Sequence, residues 1–276
     1  MALTKKIIIV ILLCVAGLVV FYFISAARSL QNNHIAFLDI GQGDATLIRF
    51  DDGSTMLIDC AENSIILRAL SRQLPFWERE LDYLVITHTD RDHFGGCVDV
   101  FEQYEVHTVV TNGRTTDDAW WSAVQNAVQN EHAHTMVIDH QQLWHFASSS
   151  IFFLFPDHTV SAEEIKKDNN SSIVMRVSGT QETVLLMADA EVELERYLVE
   201  QFGPWLQSSL LKAGHHGSNS SSSDVLLDVV QPRVAIISSG AGNRFGHPHL
   251  RVLSRLKRKG IEVRRTDLEG DIVVGF

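Results

Sequence analysis

Residues 88–93 read His88-Thr89-Asp90-Arg91-Asp92-His93, four side chains able to bind a divalent cation within six positions. Imidazole and carboxylate donors together suit zinc, manganese or iron. His88 and Asp90 are two apart, so an extended segment turns both to one face, where they can chelate one ion. Asp92 and His93 are adjacent, and only a turn that breaks the alternation brings both onto a second ion. Two cations about 3.5–4 Å apart are the usual arrangement of a binuclear hydrolase. An isolated loop of this composition is more often a set of caps and surface hydrogen bonds, so the rest of the chain has to decide.

Other candidate donors also follow strand-like runs. Leu84-Val85-Ile86 leads into the motif, and Gly95-Gly96 closes it. Asp189 comes just after the apolar stretch 184–187, placed either to bridge two ions with its two oxygens or to cap the helix that follows. His215-His216 stand between Gly214 and Gly217 after a strand ending at Lys212. Adjacent histidines point in different directions, so only one is expected to be a ligand. His247 precedes Pro248, which is placed to start the last helix after a strand ending at Ser238. Four strand-end loops carrying His or Asp are harder to ascribe to chance than one.

The pattern predicts strands over residues 35–39, 46–50, 55–58, 83–87, 108–111, 135–138, 151–155, 172–177, 184–187, 209–212, 234–238, 262–264 and 270–274. Helices are predicted over 64–71, 96–103, 117–130, 192–201, 223–229 and 248–259. Their mixture along the chain indicates an α/β protein. The chain has 276 residues, 45% of them hydrophobic, enough for a substantial core. Residues 7–27 contain no charge and would span about 31 Å as a helix, so residues 1–28 read as an uncleaved transmembrane anchor, with a cleaved signal peptide as the alternative. Residues 29–34 read as a linker and 35–276 as the folded domain. Lys5 and Lys6 precede the apolar stretch, which places the domain outside the cytoplasm.

Removing residues 1–28 takes away three basic side chains and no acid, leaving a domain of net charge −14. Such a domain repels polyanions at long range, so any nucleic-acid contact needs a local basic groove. Lys257-Arg258-Lys259 and Arg264-Arg265 are expected on a solvated helix face and an edge strand. Cys60 and Cys97 are expected to be buried thiols in preference to a disulfide.

Residues 37–45, 57–59, 87–96, 188–189, 212–218 and 243–248 resemble, in order and spacing, the metallo-β-lactamase-fold domain of the ComEC/Rec2 competence proteins. The resemblance runs from about His34 to the C-terminus. It implies a four-layer αβ/βα sandwich with a dinuclear metal site holding two divalent ions, zinc or manganese. Carried over by residue, His88 and Asp90 would bind one ion, Asp92 and His93 the other, Asp189 would bridge, and His215 would complete the second position. Phosphorylcholine esterases of the same superfamily are similar in the same motifs.

Two departures bear on the metal. The wider superfamily favours histidine where Asp90 stands, and has a further histidine near Asn169-Asn170. The first position is therefore richer in oxygen, which shifts preference from zinc toward manganese or iron. His216, Asn169, Asn170, Asp39, Asp44 and Asp59 are expected either as further metal ligands or as supports of the ligands, with Asp44 and Asp59 placed to hold histidine tautomers.

The function expected from the resemblance is metal-dependent hydrolysis of a phosphodiester, with DNA first, in a competence-like role at the membrane. Asp92 would orient the attacking water, and His247 would assist the leaving group or bind phosphate. The alternatives are a cell-envelope phosphodiesterase acting on choline-phosphate groups and a metal-free binding module tethered to the membrane.

Overall fold

The central strands are buried on both faces, as their sequences require. In β1 (His34–Phe37), Ile35 and Phe37 pack on one side and Ala36 on the other, all inaccessible to solvent. β2 (Thr46–Arg49) and β3 (Thr55–Ile58) are buried along their whole length. Near-continuous apolar runs of this kind belong to sheets covered on both faces. The computed structural model describes residues 6, 11–21, 33–157 and 169–276, and it supplies that cover with four layers.

One sheet runs, edge to edge, β14 (Ile272–Gly275), β1, β2, β3, β4 (Glu80–Ile86), β5 (Glu105–Thr111) and β6 (His134–Val137). The other runs β13 (Glu262–Arg265), β12 (Val234–Ile237), β11 (Leu210–Lys212), β10 (Thr183–Leu186), β9 (Val174–Ser178), β8 (Ser149–Phe155) and β7 (Gln142–Phe146). Ile35, Met56 and Val85 of the first sheet share a core with Ile151, Met175 and Ile236 of the second. Across this interface Phe50 stacks on Phe146, ring centroids 3.8 Å apart. Helices α1 (Ile65–Gln73), α3 (Cys97–Gln103) and α4 (Ala119–Glu131) cover the first sheet, bringing Leu70, Val100 and Trp121 onto Leu57 and Leu84. Helices α5 (Val192–Phe202), α6 (Asp224–Val230) and α7 (Leu250–Arg258) cover the second, bringing Leu198, Leu226 and Leu256 onto Leu185 and Leu211. The expected αβ/βα sandwich is thus observed.

Within the mixed sheets, β3 to β6 are parallel neighbours, as are β10 to β13. Crevices outside the carboxyl ends of parallel strands are where α/β sheets bind ligands. The loops leaving β3, β4, β10 and β11 carry the candidate donors, and they meet.

Two expectations change. β7 was not expected: its short alternating run buries Phe146 while Leu143 stays exposed, and pairing with β8 stabilises it. Cys60 and Cys97 form a disulfide, Cα atoms 5.2 Å apart, because the segment after β3 packs tightly against the start of α3. A Cβ on Gly96 would meet the Cys60 carbonyl oxygen at 2.3 Å, so only glycine permits this approach. Of the expected anchor, residues 11–21 are helical, and the remainder lies almost entirely outside the described residues. Among the described residues no helix is long and apolar enough to cross a membrane.

Candidate metal centre

β4 ends at Ile86, and the chain bends at His88-Thr89 and is extended again at Asp90 before the one-turn helix α2 (Arg91–Phe94). That helical turn is the break in alternation that Asp92 and His93 need. The β1–β2 turn packs beneath it: a Cβ on Gly43 would meet the Asp92 carbonyl oxygen at 2.3 Å.

His93 is fully buried and held from both sides. Its Nδ1 lies 2.7 Å from Asp59 Oδ2, and its Nε2 lies 3.2 Å from Asp189 Oδ1. Asp59 also accepts hydrogen bonds from the Thr87 amide and hydroxyl, at 2.9 and 2.8 Å, which fixes its carboxylate. His88 is equally buried, but its Nδ1 faces the hydroxyls of Thr87 and Ser172, at 3.0 and 3.4 Å. Its Nε2 stands 3.7 Å from Asp90 Oδ2, on a side chain that is 40% exposed.

His215 and His216 both adopt the left-handed backbone conformation, with φ of 46° and 53°. This conformation turns the two rings to different places. His216 is buried, with Nδ1 3.3 Å from Asp44 Oδ1 and Nε2 3.3 Å from Asp92 Oδ2 and 3.5 Å from Asp189 Oδ2. His215 sits at the rim: its Nε2 is 3.6 Å from Asp189 Oδ2, and its Nδ1 faces Asn169 at 3.2 Å and Glu191 at 3.4 Å.

Three groups of donors have their atoms within 4.8 Å of one another: His88, His93 and Asp189; Asp92, His93 and His216; and Asp44, Asp189 and His216. Of the two neighbouring histidines, it is His216 and not the expected His215 that enters these groups. Asp90 lies beside His88 but outside them. Asn170 is spent on backbone and Glu193 contacts, and Asn169 on His215. Asp39 is far from this role: its amide bonds to Asp271 and its carbonyl oxygen accepts from Arg72.

The donor set fits a cation. His88 Nε2, His93 Nε2, Asp189 Oδ1 and both His216 nitrogens are buried and make no hydrogen bond, an expensive state for polar atoms with nothing to bind. Electrostatics point the same way. Burial opposes charge on His216, yet the Asp189 and Asp44 carboxylates outweigh it and push its pKa up to about 10. His93 is likewise raised well above its ordinary value, burial being outweighed by Asp189 and Asp59. Burial would raise Asp92, but its contacts with His216 and His93 bring it to about 2. The carboxylates therefore demand positive charge, and without a cation, protons on the imidazoles supply it.

Three contributors were not expected. Lys212, buried at the end of β11, places its Nζ 2.8 Å from Asp44 Oδ2 and so steadies the carboxylate behind His216. A lysine closing the apolar run Leu210-Leu211 is the signal that marked it. Thr87 and Ser172 orient His88; Thr87 adjoins the motif, but nothing in the sequence singles out Ser172. His247 lies at the rim, its ring centroid 5.5 Å from that of His215, with its backbone amide held by Asn243. Burial, reinforced by the charges of His216 and His215, lowers its pKa to about 4.

The profile of the Metallo-beta-lactamase superfamily matches residues 38–241, and the chain belongs to that superfamily. Its likeness extends to competence proteins. It is 32% identical over 246 residues to Recombination protein 2 of Haemophilus influenzae, covering 87% of this chain and 28% of that one. It is 31% identical over 194 residues to ComE operon protein 3 of Bacillus subtilis, covering 70% and 24%. The chain thus spans roughly a quarter of the length of these curated relatives. Among solved structures, the metallo-beta-lactamase fold protein YhfI of Bacillus subtilis aligns with a TM-score of 0.54 at 15% identity, covering 87% of this chain and 99% of that one, a likeness of fold alone. The domain is therefore of the metal-dependent hydrolase kind found within competence proteins.

Proposed function

We propose that the chain is a metal-dependent phosphodiesterase acting on DNA in a competence-like role, with residues 35–276 forming the hydrolase domain. The observation that carries this is the set of buried donor atoms without hydrogen-bond partners, gathered from loops of both sheets. His93, Asp92, Asp189 and His216 would hold one cation, and His88, Asp90 and Asp189 the other. Two divalent cations held there would supply Lewis-acid polarisation of a phosphoryl oxygen and would lower the pKa of an attacking water.

The chain's own residues prepare that chemistry. Asp59 takes the Nδ1 proton of His93 as a hydrogen bond and leaves Nε2 directed inward. Asp44, anchored by Lys212, faces His216 Nδ1 at 3.3 Å and supplies the negative charge behind that ring. Asp92 is 28% exposed at the mouth and can orient the attacking water. His247, held neutral near pH 7, acts through a neutral ring nitrogen and not as an anion-pairing imidazolium.

Residues 1–28 would anchor the domain outside the cytoplasm. The Cys60–Cys97 disulfide supports an oxidising compartment.

The test is metal analysis of the purified full chain followed by assays on single-stranded DNA, duplex DNA, bis-p-nitrophenyl phosphate and p-nitrophenyl phosphorylcholine, with manganese, zinc or iron. Stoichiometric metal and cleavage of DNA are expected. Cleavage of the choline ester alone would reassign the enzyme to envelope groups, and absence of bound metal would leave a tethered binding module.

A further inference from the structure

Asp92 is where the buried site reaches solvent, and it lines a groove of about 630 Å³ together with Glu62, Arg91, Arg244 and Phe245. This volume lies within the ~300–1,000 Å³ of ordinary ligand clefts. Its two arginines are built alike. The Arg91 guanidinium lies 4.7 Å from the Trp120 ring centre, and that of Arg244 lies 4.9 Å from the Phe245 ring centre. Neither is in an ion pair among the described residues.

The other basic runs differ. Lys259 is paired with Asp228 at 2.5 Å, Arg264 with Glu269 at 2.8 Å, and Arg265 with Asp267. Those cations are answered by acids of the fold itself, whereas Arg91 and Arg244 rest on rings and keep their charge available. The rings are also accessible, with Trp120 45% and Phe245 49% exposed.

We propose that Arg91 and Arg244 grip phosphates of a single-stranded nucleic acid at the mouth of the site while Phe245 stacks against one of its bases. This rests on the phosphodiesterase reading above and specifies its substrate. Guanidinium forks suit phosphate oxygens, and aromatic faces are reached only by bases that are not already stacked in a duplex. A choline headgroup fits less well. A quaternary ammonium would sit at a ring beside a guanidinium that repels it, whereas a neutral base meets no such repulsion. Glu62 is the element that works against a polyanion, and it supplies a handle of opposite sign.

The experiment is fluorescence anisotropy of a labelled twelve-residue oligothymidylate with the full chain, in EDTA to stop metal-dependent cleavage. Arg91→Ala and Arg244→Ala are each expected to weaken binding roughly tenfold and to reduce the salt slope by about 0.7. Phe245→Ala should weaken binding by roughly 5- to 150-fold with an unchanged slope, because stacking releases no counterion. Glu62→Gln should tighten binding at low salt, and duplex of equal length should compete poorly. The proposal is overturned by an oligonucleotide that does not bind, by wild-type affinity in all three groove variants, by equal competition from duplex, or by loss on Lys257→Ala in place of the groove variants. Hydrolysis of bis-p-nitrophenyl phosphate by the manganese-loaded chain is scored separately. Hydrolysis without oligonucleotide binding removes this proposal alone, and binding without hydrolysis removes the phosphodiesterase reading.

Discussion

His93 and His88 lie side by side, ring centroids 4.1 Å apart and both fully buried, yet they are held by different means. A carboxylate grips the far nitrogen of His93, whereas hydroxyls face that of His88. Around His93 the supporting acids Asp44 and Asp59 are buried and are themselves anchored, by Lys212 and Thr87. Around His88 the nearest carboxylate is the exposed Asp90, and Asn169 turns to His215. Carboxylate backing raises the basicity of a ligand imidazole, and hydroxyl backing does so far less. The two halves are thus expected to bind metal with unequal strength, the inner one tighter.

The largest effect should come from the residue that joins the halves. Asp189→Ala is expected to empty both positions and to lower hydrolysis of bis-p-nitrophenyl phosphate by on the order of a thousandfold or more. Metal analysis of the variant checks this, and one retained equivalent would show that the halves are more independent than their geometry suggests.

Proton linkage should separate the metal-free and metal-loaded forms. His216 has its pKa raised from 6.5 to about 10 in the metal-free fold, so its charge stabilises the fold below pH 6.5 and that contribution disappears as pH rises through about 10. Asp92, lowered from 3.8 to about 2, contributes above 3.8 and ceases to do so as pH falls through about 2. Urea unfolding of EDTA-treated chain should therefore show stability declining from about pH 6 to about pH 10. Metal-loaded chain should gain over the lower part of that range, because protons compete with the cation for the same nitrogens.

Asp59→Asn is expected to weaken the inner metal by roughly 10- to 100-fold, while Thr87→Val costs the outer metal only a few-fold. Chelator titration of the two variants gives the contrast directly, and equal losses would erase the distinction between the halves. The smallest change is expected at the exposed edge. Asp90→Ala should weaken the outer metal by up to roughly tenfold, and Asp90→His should tighten zinc there. Calorimetric titration resolves both.

The layers of the fold were legible in the sequence because strands buried on both faces must be apolar throughout, as β2 and β3 are. β7 was not, since Gln142–Phe146 carries only a short alternation and owes its order to β8. The motif at residues 88–93 announced its chemistry by residue type alone. It could not by itself reveal which histidine Asp59, 34 residues before His93, would hold.

Residue types and their order along the chain by themselves determined the donor set, the strand ends that carry it, and the acidity that excludes a generally basic surface. Tertiary structure alone decided the choice of His216 over His215, the pairing of Cys60 with Cys97, and the freedom of Arg91 and Arg244 from acidic partners among the described residues. Each of these depends on a distance of a few ångströms between segments remote in sequence. A left-handed turn, a glycine contact and a neighbouring ring set those distances, and spacing along the chain does not encode them.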